Sequence, residues 1–432
     1  MFYSFSRFLQ SDYANRLSAR EIEELKILTK VFPFKVSSYV LDELIDWENR
    51  QDDPIYRLTF PQREMLLEKH WELLKSAHGF EAEKEAVKRI QHELNPHPAG
   101  QIDNIPRIGE RLLGGLQHKY RETVLVFPAQ GQTCHAYCTY CFRWAQFVNL
   151  GEHKFKTKEQ RDLFDYLSQH KEVTDVLFTG GDPMWMNNEK LFAYLDVLLQ
   201  PELSHVRSIR IGTKSLSYFP QRFLGEEGKE LLAYFERMVE KGKNVSIMAH
   251  FSHWKELGTD KVREASLNLR KAGVTIRTQA PLIRGINDSS EVWQRMWVEQ
   301  VQMGMIPYYM FVERDTGAQH YFSVPLARAY DIFTEAYAKV SGLAKTVRGP
   351  SMSAWPGKIL ISGIKGSGDA KKFILKFIQS RDPDLINIPF YAKYDENAIW
   401  LDDLELEPDM QEAIDEMMEA YRREPKEVSE VA

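Results

Sequence analysis

Cys134, Cys138 and Cys141 are the only cysteines in this chain, and one short run holds them all: Cys134-His135-Ala136-Tyr137-Cys138-Thr139-Tyr140-Cys141. Three thiolates spaced C-x3-C-x2-C can reach three corners of a [4Fe-4S] cube, and without a fourth cysteine one iron stays open to another ligand. A structural zinc would ask for four ligands, and His135 directly follows a ligand and cannot easily fold back onto the same ion. An odd number of cysteines packed this closely makes a poor disulfide framework.

Other stretches could also do chemistry. Thr179-Gly180-Gly181-Asp182-Pro183 pairs two glycines, which let backbone approach a ligand closely, with an acid. His250 and His253 stand three apart at the end of an apolar run, and on an extended strand they point to opposite faces unless the chain turns there. Gly363-Ile364-Lys365-Gly366-Ser367-Gly368 has the composition of a phosphate loop but lacks the lysine-serine ending, so it reads as a flexible turn.

The elements that must position these residues form an alternation. Thr123–Phe127, Asp175–Phe178, Val206–Ile211, Val245–Ala249, Val274–Thr278 and Pro307–Val312 are β-branched or aromatic-rich runs bounded by turn residues. Helical patterns lie between them, at Lys158–Gln169, Lys229–Lys241 and Asp260–Ala272, and Pro325–Val340 follows the last. Strands recurring about every thirty-odd residues predict β/α units in a parallel sheet or partial barrel, with functional loops at the carboxyl ends of the strands. The cysteines follow the first strand by a few residues, and the Gly-Gly-Asp loop follows the second, so both fall on that face. Before this core, Ser18–Gln91 reads as mainly helical, and Asn95-Pro96-His97-Pro98 breaks the periodicity. The expected division is 1–110 helical, 111–365 core, and 366–432 a C-terminal extension whose acidic, Met-rich tail from Asp402 forms an exposed helix.

At 432 residues and 43% hydrophobic content the chain can bury a barrel-sized core. A net charge of −6, from 56 basic and 62 acidic side chains, gives no broad basic field for nucleic acid. No stretch approaches ~20 consecutive apolar residues, so no membrane span is expected, and the first ten residues do not read as a secretory signal. Three free thiols suited to an oxygen-sensitive cluster fit a reducing cytoplasm.

The cysteine spacing, with Tyr140 before the last cysteine, resembles the radical S-adenosylmethionine (SAM) superfamily, in which SAM chelates the open iron. The likeness narrows between about Leu113 and Ser362. Gly114-Gly115-Leu116-Gln117-His118-Lys119-Tyr120, Arg210-Ile211-Gly212-Thr213, Ala249-His250-Phe251-Ser252-His253, Gln279-Ala280-Pro281-Leu282-Ile283-Arg284-Gly285-Ile286-Asn287-Asp288 and Pro307-Tyr308-Tyr309 look, in that order, like lysine 2,3-aminomutase. The resemblance implies a radical SAM partial (β/α)6 barrel with an N-terminal helical subdomain. It also implies an isomerase that uses a [4Fe-4S] cluster, SAM and pyridoxal 5′-phosphate (PLP) to shift an α-amino group to the β-carbon of a small amino acid. An electron donor such as flavodoxin or ferredoxin comes with that chemistry.

Position by position, Cys134, Cys138 and Cys141 match the cluster ligands. Gly180, Gly181 and Asp182 match the loop that holds the methionyl amino group of SAM, Tyr120 and Gln279 match positions lining the PLP site, and Tyr140 and His250 are further cofactor-binding candidates. Arg143 matches the arginine that grips the substrate α-carboxylate, a task that suits a guanidinium fork. Three departures bear on activity. In Gly349-Pro350-Ser351-Met352-Ser353-Ala354-Trp355-Pro356-Gly357-Lys358, alignment on Pro350 puts Trp355 at the PLP lysine, whereas alignment on Pro356 puts Lys358 there. Arg314, and in the Pro350 register Arg348, fall on aspartates that hold the lysine ammonium, which favours an acidic substrate tail unless Asp315 faces inward instead. The family's C-terminal metal-binding cysteines are missing, so any homo-oligomer does without that metal. Two rival readings are a PLP-independent radical SAM enzyme of the same lineage and an iron-sulfur electron carrier or sensor that binds no SAM.

Overall fold

The computed structural model describes residues 1–148, 150, 156–157 and 160–423. The strands run in chain order as β1 (Phe2–Ser4), β2 (Lys35–Ser37), β3 (Arg107–Ile108), β4 (Arg111–Leu112), β5 (Leu116–Tyr120), β6 (Thr123–Val126), β7 (Asp175–Phe178) and β8 (Ser208–Thr213). They continue as β9 (Asn244–His250), β10 (Thr275–Leu282), β11 (Ile306–Val312), β12 (Arg348–Ser353), β13 (Gly357–Lys365), β14 (Lys372–Ser380) and β15 (Pro389–Lys393).

An eleven-stranded sheet runs from β5 to β15 in unbroken sequence order. The pairs from β6 to β12 are parallel, and β5 and the β13–β15 run are antiparallel. All six expected core strands are present. Helices Gln160–Gln169, Asn188–Val197, Gly225–Glu240, Asp260–Lys271, Ser290–Gln302 and Leu326–Ala338 supply the crossovers. The start of the first expected helix, at Lys158, lies outside the described residues. Thr259 and Ser289 cap two of these helices, each accepting a backbone N–H through its side chain.

Two strands carry the pattern that shapes the interior. Along β8 and β10 every second residue is buried against the helices, namely Ile209, Ile211 and Thr213, then Ile276, Thr278, Ala280 and Leu282. With a period of two, Arg210, Arg277 and Gln279 must point the other way, into the barrel.

The sequence reading did not anticipate β12 as a seventh parallel strand. It pairs with β11 through Tyr309↔Arg348 and Phe311↔Ser351. Of the Gly-rich run at 363–368, Gly363–Lys365 ends β13 and Gly366–Gly368 lies in the turn of the β13–β14 hairpin, so the expected division at 365/366 falls inside a continuous sheet. The C-terminal helix Pro408–Arg423 is not wholly exposed, because Met410 and Ile414 are buried in a cluster with β13–β15.

The N-terminal region is mainly helical, with one short departure. β1 and β2 pair antiparallel, and this region forms a cluster of its own that extends to Ala136, Cys138, Tyr140, Cys141 and Trp144. Among the described residues no helix is long and apolar enough to cross a membrane.

Candidate active site

The cysteine loop follows β6 and is gripped from two sides. From the N-terminal region, Tyr137 N donates to Lys35 O at 2.9 Å, Thr139 N to Leu58 O at 2.9 Å, and Lys35 Nζ to Thr133 Oγ1 at 2.9 Å. From the barrel, the Gly180-Gly181-Asp182 loop interlocks with Gly131-Gln132-Thr133. Gly180 has a positive φ of 126°, and a Cβ on Gly181 would lie 2.4 Å from Thr133 N and 2.6 Å from Thr133 O. Both positions therefore require glycine.

The Asp182 carboxylate is buried and fully engaged. It accepts from Thr213 Oγ1 at 2.6 Å, Ser215 Oγ and Met184 N at 2.9 Å, and Lys214 N at 3.1 Å. Burial raises its pKa, but His135 and these donors outweigh that and hold it below the usual carboxylate range. Its side chain thus ties the β7, β8 and cysteine loops together, and it is the glycine backbone that is left to meet a ligand. His135 is held away from the thiols. Its Nδ1 is 2.9 Å from Ser215 Oγ and its ring stacks on Phe219 at 4.6 Å.

The three thiols fit a cluster. Burial raises all three, and Cys138 pushes both Cys134 and Cys141 further up, as sulfurs sharing one site would. Among the described residues no three Cys, His, Asp or Glu side chains converge on a single-ion site. A cube binds differently, each thiolate taking its own iron. Around Cys138, Tyr140 Oη is 2.8 Å from Ser252 Oγ, and Lys214 Nζ donates to the buried Glu256 at 2.6 Å. Glu256 also accepts from Ser217 Oγ and from the backbone N–H groups of Ser252 and His253. Sequence reasoning missed the Lys214–Glu256 pair, whose partners lie 42 residues apart.

His250, the last residue of β9, pairs with Gln279 on the neighbouring β10, and the two side chains meet, with His250 Nε2 at 2.7 Å from Gln279 Nε2. Burial, then Lys214, lowers the His250 pKa to about 4, so the imidazole is neutral and accepts the amide proton. His253 has turned away, and its Nδ1 accepts from Lys255 N at 3.2 Å.

Deeper in lie two arginines, with the buried Glu313 close to one of them, Arg314. Arg143 is buried, its guanidinium carbon 4.6 Å from the Phe127 ring centre and 4.8 Å from that of Phe142, with Nη1 donating to Gln101 Oε1 at 3.1 Å. Arg314 lies 4.3 Å from the same Phe142 ring. Burial, then Arg314, pushes Arg143 down to about 9. Asp315 faces elsewhere, accepting from Asn95 Nδ2 at 3.1 Å. Arg314 thus shares a ring with Arg143, while the partly buried Asp315 bonds to Asn95 and stays close enough to offset part of the lowering that burial imposes on the Arg314 pKa.

At the opposite ends of the strands a cavity of about 490 Å³ is lined by Tyr120, Asp175, Arg210, Arg277, Arg348 and Lys358, among others. Arg210 is taken up by Asp175 through two hydrogen bonds, from Nε to Oδ1 at 2.8 Å and from Nη2 to Oδ2. Lys358 Nζ sits 4.3 Å from the Tyr309 ring centre. Among the described residues it has no carboxylate partner, and burial, then Arg210, Arg348 and Arg314, hold its pKa well below that of an ordinary lysine. Trp355 does not share this cavity, since its Nε1 donates to Asp103 at 3.0 Å and Arg381 covers its ring. Nearby Lys119, also missed from sequence, donates to Ala354 O and is depressed by burial and by Arg381, Arg314 and Lys358.

A family model described as a 4Fe-4S single cluster domain matches residues 123–241. A protein of Aquifex aeolicus named "Putative L-lysine 2,3-aminomutase" is 32% identical over 392 residues, covering 90% of this chain and 92% of its own length. A glutamate 2,3-aminomutase of Clostridioides difficile is 29% identical over 330 residues, 76% of this chain and 67% of that protein. Among solved structures, a radical SAM methyltransferase from Sphaerobacter thermophilus aligns over 55% of this chain and 68% of its own, at 13% identity and a TM-score of 0.36.

Proposed function

From the premise that this chain belongs to the lysine 2,3-aminomutase family of radical SAM enzymes, we propose that it moves the α-amino group of a free amino acid with an acidic side chain to the β-carbon, using PLP as well as SAM. Cys134, Cys138 and Cys141 would hold three irons of the cluster and leave the fourth for SAM, whose methionyl part would meet the backbone of Gly180 and Gly181. Together the bound cofactors supply a radical that removes a β-hydrogen and an activated nitrogen that migrates.

The remaining work falls to side chains. Lys358 has no carboxylate partner among the described residues, and burial with Arg210, Arg348 and Arg314 lowers its pKa, which favours the free amine that attachment of a carbonyl cofactor requires. Tyr120 shares that cavity. The hydrogen-bonded His250–Gln279 pair, at the carboxyl end of β9, offers a neutral, hydrogen-bonding surface in the interior. Arg143 would take the α-carboxylate.

The observation that carries the acidic substrate is the pairing of Arg143 and Arg314 on one ring, Phe142, with Asp315 bonded to Asn95. Two guanidiniums on one wall suit a dicarboxylate, and an ammonium there would meet a like charge that cannot shed its proton. The same reading takes a reduced flavodoxin or ferredoxin as electron source and the cytoplasm as compartment.

Borohydride reduction of the PLP-loaded protein, followed by peptide mapping, tests the reading. The phosphopyridoxyl mass is expected on Lys358. A label on Lys119 instead would move the attachment point, and no label on any lysine would remove PLP from the function.

A further inference from the structure

The acidic-substrate reading leaves charge at the other end of the barrel unused. Arg277, the third residue of β10, and Arg348, the first of β12, both lie over the Tyr308 ring, with guanidinium carbons 5.1 and 4.2 Å from its centre. The two are therefore no more than about 9 Å apart. Arg348 is also 4.4 Å from the Tyr309 centre, and Lys358 Nζ is 4.3 Å from that same point, so the amine and this guanidinium share a ring. Among the described residues neither Arg277 nor Arg348 has a hydrogen-bond acceptor or a carboxylate partner. Both line the cavity, whose only acids are Asp175, already bound to Arg210, and the exposed Glu122.

Two uncompensated guanidiniums fit an anion of two charges better than a single carboxylate. A phosphate monoester brings three oxygens with which both planar forks can bond. Arg348 is free for this, because it falls on an ammonium-binding position only in the register that puts Trp355 at the PLP lysine, and Trp355 lies outside the cavity, bonded to Asp103. We propose that Arg277 and Arg348 form the receptor for a phosphate monoester dianion at the amino-terminal mouth of the barrel. On the reading that Lys358 carries PLP, that dianion is the cofactor's own phosphate. Arg143 and Arg314 then serve the substrate, and Arg277 and Arg348 serve the cofactor.

The test quantifies borohydride-fixed label on Lys358 by mass spectrometry in the full-length protein, loaded with PLP, with pyridoxal, or with PLP in the presence of inorganic phosphate. Two charge-assisted contacts predict that wild type half-saturates with PLP at a concentration at least ~100-fold below that for pyridoxal. The Arg277→Gln/Arg348→Gln double variant is expected to bring that ratio under about 10 and to label with pyridoxal as wild type does. Inorganic phosphate should raise the PLP half-saturation of wild type and leave that of the double variant unchanged. A double variant that keeps the full ratio, with label still on Lys358, overturns the receptor and spares the PLP reading. If that variant fails to fold, absence of phosphate competition in wild type overturns the receptor by itself. If no lysine of wild type is ever labelled, the PLP reading falls, and equilibrium dialysis with inorganic [32P]phosphate decides the site alone: retention lost on Arg348→Gln supports a phosphate receptor independent of PLP, and no retention overturns it.

Discussion

Replacing Arg314 by aspartate should invert substrate choice. The Arg143 and Arg314 guanidinium carbons are 4.8 and 4.3 Å from one ring centre, so they are at most about 9 Å apart. At an effective dielectric of ~20 that separation costs about 2 kcal/mol of mutual repulsion, which a dicarboxylate bridging the two would offset. A carboxylate tail ~4 Å from Arg314 gains about 4 kcal/mol at the same dielectric, and an ammonium tail loses as much. Because each 1.4 kcal/mol is tenfold, loss of the attraction alone should lower kcat/KM for an acidic amino acid on the order of a thousandfold in Arg314→Met, and Arg314→Asp, which adds repulsion, should lower it further while kcat/KM for lysine rises from near zero. Arg314→Met should sit between, with the acidic preference reduced but no gain for lysine. The assay follows β-isomer formation by mass spectrometry with SAM, PLP and dithionite, for glutamate and lysine side by side. Wild-type turnover of lysine equal to that of glutamate, or a glutamate preference unchanged in Arg314→Met, would refute the charge argument, since Arg314 would then not face the tail.

Other perturbations read other parts of the site. Gly181→Ala drives a methyl into the Thr133 backbone, a strain of about 1–3 kcal/mol that falls on the cysteine loop, and iron and sulfide per reconstituted chain should drop to under half of wild type. Asp182→Ala leaves four donors without their buried acceptor and should cost about 3–5 kcal/mol in urea unfolding of the barrel transition; a loss below 1 kcal/mol would contradict the knot described for it. Lys358→Met should stabilise the cofactor-free protein. Its folded pKa lies below the unfolded value of ~10.4, so the unfolded chain binds more protons between the two, the penalty is complete below that window, and stability rises as pH climbs through it. The melting temperature of Lys358→Met should therefore exceed that of wild type at pH 7 by a margin that shrinks towards pH 10, and a lower value at pH 7 would contradict a desolvated amine.

The six core strands were legible because each is a short β-branched or aromatic run between turn residues, and the cluster site because three cysteines sit in one stretch. β12 was not, since Arg348-Gly349-Pro350-Ser351-Met352-Ser353 holds no β-branched residue and one proline; it becomes a strand through its partners, β11 on one side and β13 on the other. The interior arginines could have been found. Arg210 and Arg277 each alternate with apolar residues on a strand, and a period of two sends such residues to the face opposite the helices. Which cation meets which acid is another matter, for Arg210–Asp175 and Lys214–Glu256 join residues 35 and 42 apart, and only the pairing of β7 with β8 and of β8 with β9 brings them together. The choice between Trp355 and Lys358 was open in sequence for a similar reason: both follow a proline at a workable spacing, and only the fold places Lys358 in the cavity and bonds Trp355 to Asp103, 252 residues away. The grip of the N-terminal region on the cysteine loop, through Lys35 and Leu58, was likewise hidden by distance along the chain.

The central claim is amino-group migration on an acidic amino acid, and a one-pot competition addresses it most directly. The anaerobically reconstituted enzyme is given SAM, PLP, a reductant and an equimolar mixture of the twenty amino acids, each 15N-labelled at the α-nitrogen. The account predicts one dominant new product, the β-amino isomer of an acidic amino acid with its 15N retained, absent when any one of Cys134, Cys138 or Cys141 is alanine. Production of 5′-deoxyadenosine with every amino acid left unisomerised, or a β-isomer of lysine as the main product, would contradict it.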